Sequence, residues 1–432
     1  MRIGIQTWGS EGDLRPFFAL GRGLAARGHE VDLAYTSIEG RDYSDLAARC
    51  RIRAEAVGVD DLRTLRAGGD GPPEAVLSAP PMRQFRWVIE RYFDPVVEPM
   101  WSAAQRLAAR SDVLVAHFAC HPLGAAADQA GLPFFSVATA PMFPTRTAPP
   151  PGAPDLGPLN RLTWRLVERI ADEAFLARAN ALRARAGVPL LRRVHRDGIR
   201  RVAALLTAVS PTLFPQPRDW PEKAPVVGFL ELPAEAEPWT PAPELEAFLA
   251  CGPPPVLLTF GSMMEQPDLC RGAIELLRSA TERARIRALL QAPTHVAQGR
   301  AAEGVYVLGH VPHIALLHRC AAVVHHGGAG TTQAVLRAGL PSVVVPHVVD
   351  QFFWAQVLHA RGVAPKPLPR RRATPAALAT RIREAVASEP MRARAAALGA
   401  AMRAEDGVAR AVEWIERAGG ERAEPRHPLT TA

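Results

Sequence analysis

The segment His325-His326-Gly327-Gly328-Ala329-Gly330-Thr331-Thr332 sets imidazoles, small residues and hydroxyls between an apolar run, AAVV, and a helical pattern, TTQAVLRAG. Glycines let backbone amides approach phosphate oxygens, and the start of a helix supplies positive potential for them. His326, as a neutral or cationic donor, and the Thr331 hydroxyl add further contacts, so a diphosphate is the expected ligand. His325 is expected to be structural, and a tight, closely packed turn is the competing reading of the glycines. The spacing is neither Gly-x-Gly-x-x-Gly nor a phosphate loop with its lysine, which weighs against hydride transfer and ATP hydrolysis.

A second small-residue loop, Gly9-Ser10-Glu11-Gly12-Asp13, follows the apolar run RIGIQT. Open α/β sheets bind ligands at the carboxyl ends of their strands, so the two loops are expected to converge on one ligand. Asp13 then gains a chemical role, because a carboxylate beside an acceptor hydroxyl takes its proton as the oxygen attacks. Its alternative is to cap a helix beginning near Leu14. Asp350-Gln351, after the run LPSVVVP, can orient sugar hydroxyls or form a plain polar turn. Gly261 and Ser262 close the run PVLLTFGS, where the hydroxyl either contacts phosphate or caps a helix.

The elements that must hold these loops form two βαβ series. RIGIQT, the helical FFALGRGLAARG and HEVDLAYT open the first; DVLVAH and LPFFSV are further strands, joined by a short helix over Pro122 to Ala130. Thr139 to Pro158, crowded with proline and glycine, is expected to be a long ordered loop or a partly mobile lid, before helical character returns up to Gly187. The second series runs from PVLLTFGS through RALLQAP, VYVLGH, HIALLHR and AAVVHH to LPSVVVP. The expected division is a first domain over 1–215, a linker over 216–240, a second domain over 241–403, a helix over 404–418 packing back on the first, and a flexible tail over 419–432.

Composition bounds the rest. The chain has 432 residues, 48% hydrophobic and 22% charged, which excludes a wholly disordered or collagen-like chain. Its 51 basic and 43 acidic side chains leave +8, a moderate excess that suits phosphates, nucleic acid or an anionic membrane surface, and no nucleic-acid module is visible. Five separated cysteines without a Cys-x-x-Cys pair fit a reducing compartment, and no signal peptide or spanning segment is read, so a cytoplasmic protein is expected. The arginine-rich stretch Leu191 to Arg201 is either a solvated face or a contact for an anionic acceptor or membrane surface.

The combination GSEGDLRP (Gly9 to Pro16), TFGS, LGHVPH, VVHHGGAGTTQAVLRAGLPSVVVP and DQFFWAQ closely resembles the family 1 nucleotide-sugar-dependent glycosyltransferases, in particular bacterial natural-product and sterol or lipid enzymes. That resemblance implies an α/β chain of GT-B architecture, two Rossmann-like domains facing across a cleft. It assigns donor contacts to Ser262, Val311, His326, Gly328, Ala329, Gly330, Thr331, Asp350 and Gln351, with His310 to His313 in the base-recognition loop. Plant relatives carry tryptophan where His310 stands, so uracil stacking is expected to be weaker here and backbone contacts around Val311 to carry more of the recognition; a uridine diphosphate sugar is still the expected donor, with a deoxythymidine diphosphate sugar the alternative.

The family also implies that Asp13 is the base of an inverting transfer to an acceptor hydroxyl, without metal or cofactor. Plant relatives use a histidine in that loop, oriented by an aspartate near a later strand end; His117 stands there instead, to orient Asp13, approach the acceptor or pack below the pocket. Phe85, Trp87, Phe118, His121, Phe134, Phe135 and Phe143 are candidates for an apolar acceptor pocket, with core packing as the alternative for each aromatic. The acceptor class is a natural product, sterol or other lipid-like alcohol. A monomer suffices, a weak homodimer fits equally, and weak peripheral membrane contact is expected. A nucleotide-sugar epimerase or hydrolase, or a noncatalytic nucleotide-sugar or lipid-binding protein, remains the alternative.

Overall fold

The computed structural model describes residues 1–67, 81–150, 153, 155–264, 267–293 and 295–420, so the expected tail lies outside the described residues from 421 onward. Apolar runs bounded by short loops build two six-stranded sheets. The first contains β1 (Arg2–Gly9), β2 (Glu30–Ser37), β3 (Arg53–Ala56), β4 (Val113–His117), β5 (Phe134–Ala138) and β6 (Ala204–Thr207), all parallel, in the order β3-β2-β1-β4-β5-β6. Every residue of β4 is buried, as a parallel strand covered by helices on both faces requires.

The second sheet contains β7 (Val256–Thr259), β8 (Ala288–Gln291), β9 (Gly299–Ala302), β10 (Val305–Leu308), β11 (Ala322–His325) and β12 (Ser342–Val344), in the order β12-β11-β7-β8-β10-β9. Only the β9–β10 pair is antiparallel among the described strands. In both sheets the strand order reverses beside the first strand, between β1 and β4 and between β7 and β11. Such a reversal leaves a crevice at the strands' carboxyl ends. The segments that follow β1, β4, β7 and β11 are those that carry Asp13, the residues following His117, Gly261 and His326.

Two segments cross between the domains. Residues after β6 pack Leu213, Phe214 and Trp220 with Phe353 and Trp354 of the second domain, then return Val227, Leu230 and Leu232 to the first domain's core. The terminal helix Gly407–Gly420 adds Ala411, Val412 and Ile415 to that same core. The two segments touch where Gly228, at φ +118°, backs onto Gly407; a Cβ on Gly228 would stand 2.7 Å from the Gly407 Cα. Ser210 donates its N–H to the Gln333 side chain (2.7 Å) and its hydroxyl to Glu405 (2.9 Å), fixing the junction.

The loop over Thr139 to Pro150 is anchored, in keeping with the ordered-loop alternative rather than the lid. Thr145 Oγ1 donates to Asp219 at 2.6 Å, and the Trp164 indole donates to the Ala148 carbonyl at 3.0 Å. The arginine stretch is likewise largely neutralised: Arg193 pairs with Asp172, Arg196 with Glu168 and Arg201 with Asp128.

Candidate active site

β1 ends at Gly9 with φ +138°, a conformation for which glycine is suited, and a Cβ there would meet the Asp13 carboxylate at 2.5 Å. Ser10 then starts the helix Glu11–Ala26, so the helix begins three residues before the expected Leu14 and Asp13 lies in its first turn. The shift has a physical cause: Asp13 Oδ2 accepts from the Ser10 N–H at 3.0 Å and from its hydroxyl at 2.9 Å, which stabilises the earlier start. The other oxygen, Oδ1, faces His117 Nε2 at 3.6 Å.

His117 closes β4, beside β1 in the sheet, and is 4% exposed. Burial lowers its pKa while the Asp13 charge opposes that shift, and neither ring nitrogen has a hydrogen-bond partner among the described residues. The Phe17 and Phe118 rings flank it, with centroids 5.9 and 4.4 Å away.

Across the cleft, Gly261 (φ +56°) and Gly328 hold the His326 ring. A Cβ on either would stand 2.9 Å from Cε1 or 2.5 Å from Nε2 respectively. Burial, reinforced by His325, His347 and His313, pushes the His326 pKa well below its ordinary value, which favours the neutral imidazole. His325 is fully buried, and its Nδ1 accepts the Gly327 N–H at 3.1 Å, the structural part expected of it.

Gly328 starts the helix Ala329–Arg337 without a side chain to cap it, and the backbone ladder begins with Thr332 N–H donating to the Gly328 carbonyl at 2.9 Å. The preceding helix-start amides therefore have no acceptor within the helix. Gly328, Ala329, Gly330 and Thr331 all line the cleft, as does Val311. A Cβ on Gly330 would lie 3.9 Å from the Gly12 Cα, so the starts of two helices, one from each domain, face each other. Their aligned peptide dipoles create a region of positive potential suited to a phosphate group.

Asp350 also lines the cleft; burial, then the charge of Asp13, raises its pKa to about 6. Gln351 Oε1 accepts the His347 and Val348 amides at 2.8 and 3.1 Å, so this side chain caps the helix Val349–Ala360 while standing on the cleft wall.

These groups share one cavity of about 1450 Å³ with contributions from both domains. Phe118, His121, Phe134 and Phe143 line its first-domain half. His121 Nδ1 lies 3.1 Å from the Ala119 carbonyl, and burial lowers its pKa to about 4. Two aromatic expectations are corrected: Trp87 packs edge-on against Tyr92 outside the cavity wall, and Phe135 is fully buried in the core because it points to the other face of β5. The Phe85 and Ser262 side chains lie outside the described residues.

Several wall groups escaped the sequence reading. Glu11 reaches His310 at 3.2 Å and Arg41 at 3.4 Å, joining the first domain to the expected base-recognition loop. Glu39, just beyond β2, has one oxygen buried without a partner, and burial followed by Glu11 repulsion raises its pKa to about 7. The strand-end rule that located Asp13 also covers Glu39. Among the described residues, no cluster of three His, Cys, Asp or Glu side chains is arranged to hold a metal, and no helix is long and apolar enough to cross a membrane.

Facing Rossmann-like domains with a carboxylate on one side and an open helix start on the other define a two-domain group-transfer enzyme. Residues 284–416 match the family described as erythromycin biosynthesis protein CIII-like, C-terminal domain. The O-mycaminosyltylonolide 6-deoxyallosyltransferase of Streptomyces fradiae is 36% identical, over 96% of this chain and 97% of its own length. The sterol 3-beta-glucosyltransferase UGT80A2 of Arabidopsis thaliana is 29% identical over 96% of this chain, which spans 65% of that relative. The kitacinnamycin glycotransferase structure superimposes with a TM-score of 0.68 at 22% identity, covering 96% of this chain and 98% of that one. The glycosyltransferase VinC, in complex with DTDP, gives a TM-score of 0.65 at 20% identity, covering 98% and 100%. The chain belongs to this glycosyltransferase family and has its GT-B architecture.

Proposed function

We propose that the protein transfers a sugar from a nucleoside diphosphate sugar to a hydroxyl of a hydrophobic natural product, sterol or related lipid, with inversion at the anomeric carbon. What supports this reading most directly is the meeting of the Asp13 carboxylate and the open start of the Ala329–Arg337 helix on one cavity, where a Cβ on Gly330 would lie 3.9 Å from the Gly12 Cα.

In the proposed reaction the acceptor lies against Phe118, His121 and Phe143, with its hydroxyl beside Asp13. Asp13 takes the proton as the oxygen attacks the anomeric carbon, and the bond to the diphosphate breaks on the opposite face. Charge grows on the departing diphosphate, where the helix-start amides, neutral His326 and Ser262 stabilise it. Asp350 and Gln351 orient the sugar, while His310 to Val311 meet the base. These fixed donors carry the charge without a required metal ion. His117 positions Asp13 or the acceptor hydroxyl.

The DTDP named with VinC favours testing deoxythymidine alongside uridine diphosphate sugars. Mass-spectrometric product analysis with both donors and a panel of hydrophobic alcohols, followed by assignment of anomeric configuration, tests the proposal. An inverted glycoside formed only with acceptor is expected. Acceptor-independent release of free sugar, or isomerised donor, overturns it in favour of hydrolysis or epimerisation.

A further inference from the structure

Four of the large apolar side chains exposed among the described residues, Leu156, Leu159, Leu162 and Leu166, fall in one short stretch. Leu162 and Leu166 lie on the helix Asn160–Arg185, and Leu159 immediately precedes it, so spacings of three and four place these three along one face. They are 57%, 53% and 60% exposed in chain order. The opposite face is anchored by Trp164, which is buried.

This stripe continues the cavity. Leu166 is both largely exposed and part of the cavity wall, which runs inward through Thr163, Val167 and Ile170 of the same helix. Arg165 and Arg169 flank the stripe, exposed and without an ion pair among the described residues. Glu168, the acidic residue among these first three turns, is occupied by Arg196; the exposed Glu173 follows beyond them. A protein partner seated over Leu166 would cover the cavity mouth. A fluid lipid surface would leave the route open and supply both apolar chains for the leucines and anionic headgroups for the arginines.

We propose that Leu159, Leu162 and Leu166, with Arg165 and Arg169, form a docking face for an anionic lipid surface, across which a lipophilic acceptor reaches the cavity. The acceptor's passage rests on the proposed transferase reading; docking itself does not. The assignment relocates membrane contact from Leu191 to Arg201, whose arginines are largely paired, to the neighbouring helix.

Flotation of the full chain with phosphatidylcholine vesicles, with and without phosphatidylglycerol, tests docking independently of sugar transfer. Association at least tenfold stronger with the anionic vesicles is expected, with loss in high salt. Leu159→Asp combined with Leu162→Asp should abolish it, and Arg165→Gln combined with Arg169→Gln should remove the anionic preference, with transfer to a water-soluble acceptor unchanged in both. Absence of flotation, or equal flotation of wild type and the leucine variant, overturns the proposal. So does a wild-type dimer that the leucine variant converts to monomer, because a second copy would then occupy the face.

Discussion

The Asp13 carboxylate and His117 imidazole stand 3.6 Å apart at the reversal point of the first sheet, each delivered by a different strand. The gap exceeds a hydrogen bond, so the pair is not closed on itself. A hydroxyl held against Asp13 would lie within reach of a buried, neutral ring.

Asp13→Asn should reduce turnover by roughly 10²–10⁴-fold while leaving nucleoside diphosphate affinity within about twofold, the range expected for loss of a general base. His117→Gln distinguishes the parts open to that ring. A fall in kcat at constant acceptor KM marks positioning of Asp13, whereas a rise in KM marks acceptor contact. A change in melting temperature alone marks packing. Single-turnover transfer and calorimetric binding provide these readings.

His326→Ala should weaken nucleoside diphosphate binding by roughly 10- to 100-fold, the effect of losing a hydrogen bond to a charged group. Gly328→Ala should do the same without deleting the imidazole, since its methyl would press within 2.5 Å of Nε2. Isothermal titration with uridine and deoxythymidine diphosphates checks both variants. Unchanged affinity in both removes His326 from the proposed donor site.

Acid should destabilise the fold as pH falls from about 6.5 towards 4. Burial holds His121, His313 and His347 near pKa 4 and His325 near 3, below the unfolded value of about 6.5. The unfolded chain therefore gains protons first, and stability from these neutral histidines, complete above that range, is lost through it. Glu39 and Asp350 act oppositely: their raised values, about 7 and about 6, give stability below their unfolded pKa values that fades as pH rises through the folded ones. The histidines outnumber them, so a net slope on the order of 3 kcal/mol per pH unit is expected near pH 5. Denaturant titrations across that interval check it.

Gly407→Ala should destabilise the chain by about 1–3 kcal/mol through overpacking, because its Cβ would stand 2.5 Å from Gly228 and Phe229 backbone atoms. Gly198→Ala is the control: it lies in the helix Val194–Arg201, where the added carbon would meet no atom within 4 Å beyond its chain neighbours and its own helix backbone. The control should melt at or slightly above the wild-type temperature.

The apolar runs of β4, β7 and β11, and the mostly apolar β1 and β2, make the alternating strand and helix pattern legible, and the small-residue loops mark where the strands end. β3 is harder to read because RAEA is polar and partly exposed, while β9 is a four-residue edge strand without an apolar run. Asp13 and His326 stand out through their loops. The Glu11–His310 contact depends on how two domains meet, and Phe134 and Phe135 differ only in which face of β5 each takes. No local pattern carries that information.

The return of Ala411, Val412 and Ile415 to a core begun by Ile3 and Ile5 also has a consequence during synthesis. The first domain cannot finish its own packing until about two hundred residues beyond β6 have been made. Until then an apolar strip beside the Glu11–Ala26 helix lacks its native cover, and the nascent half-protein is a natural client for a chaperone.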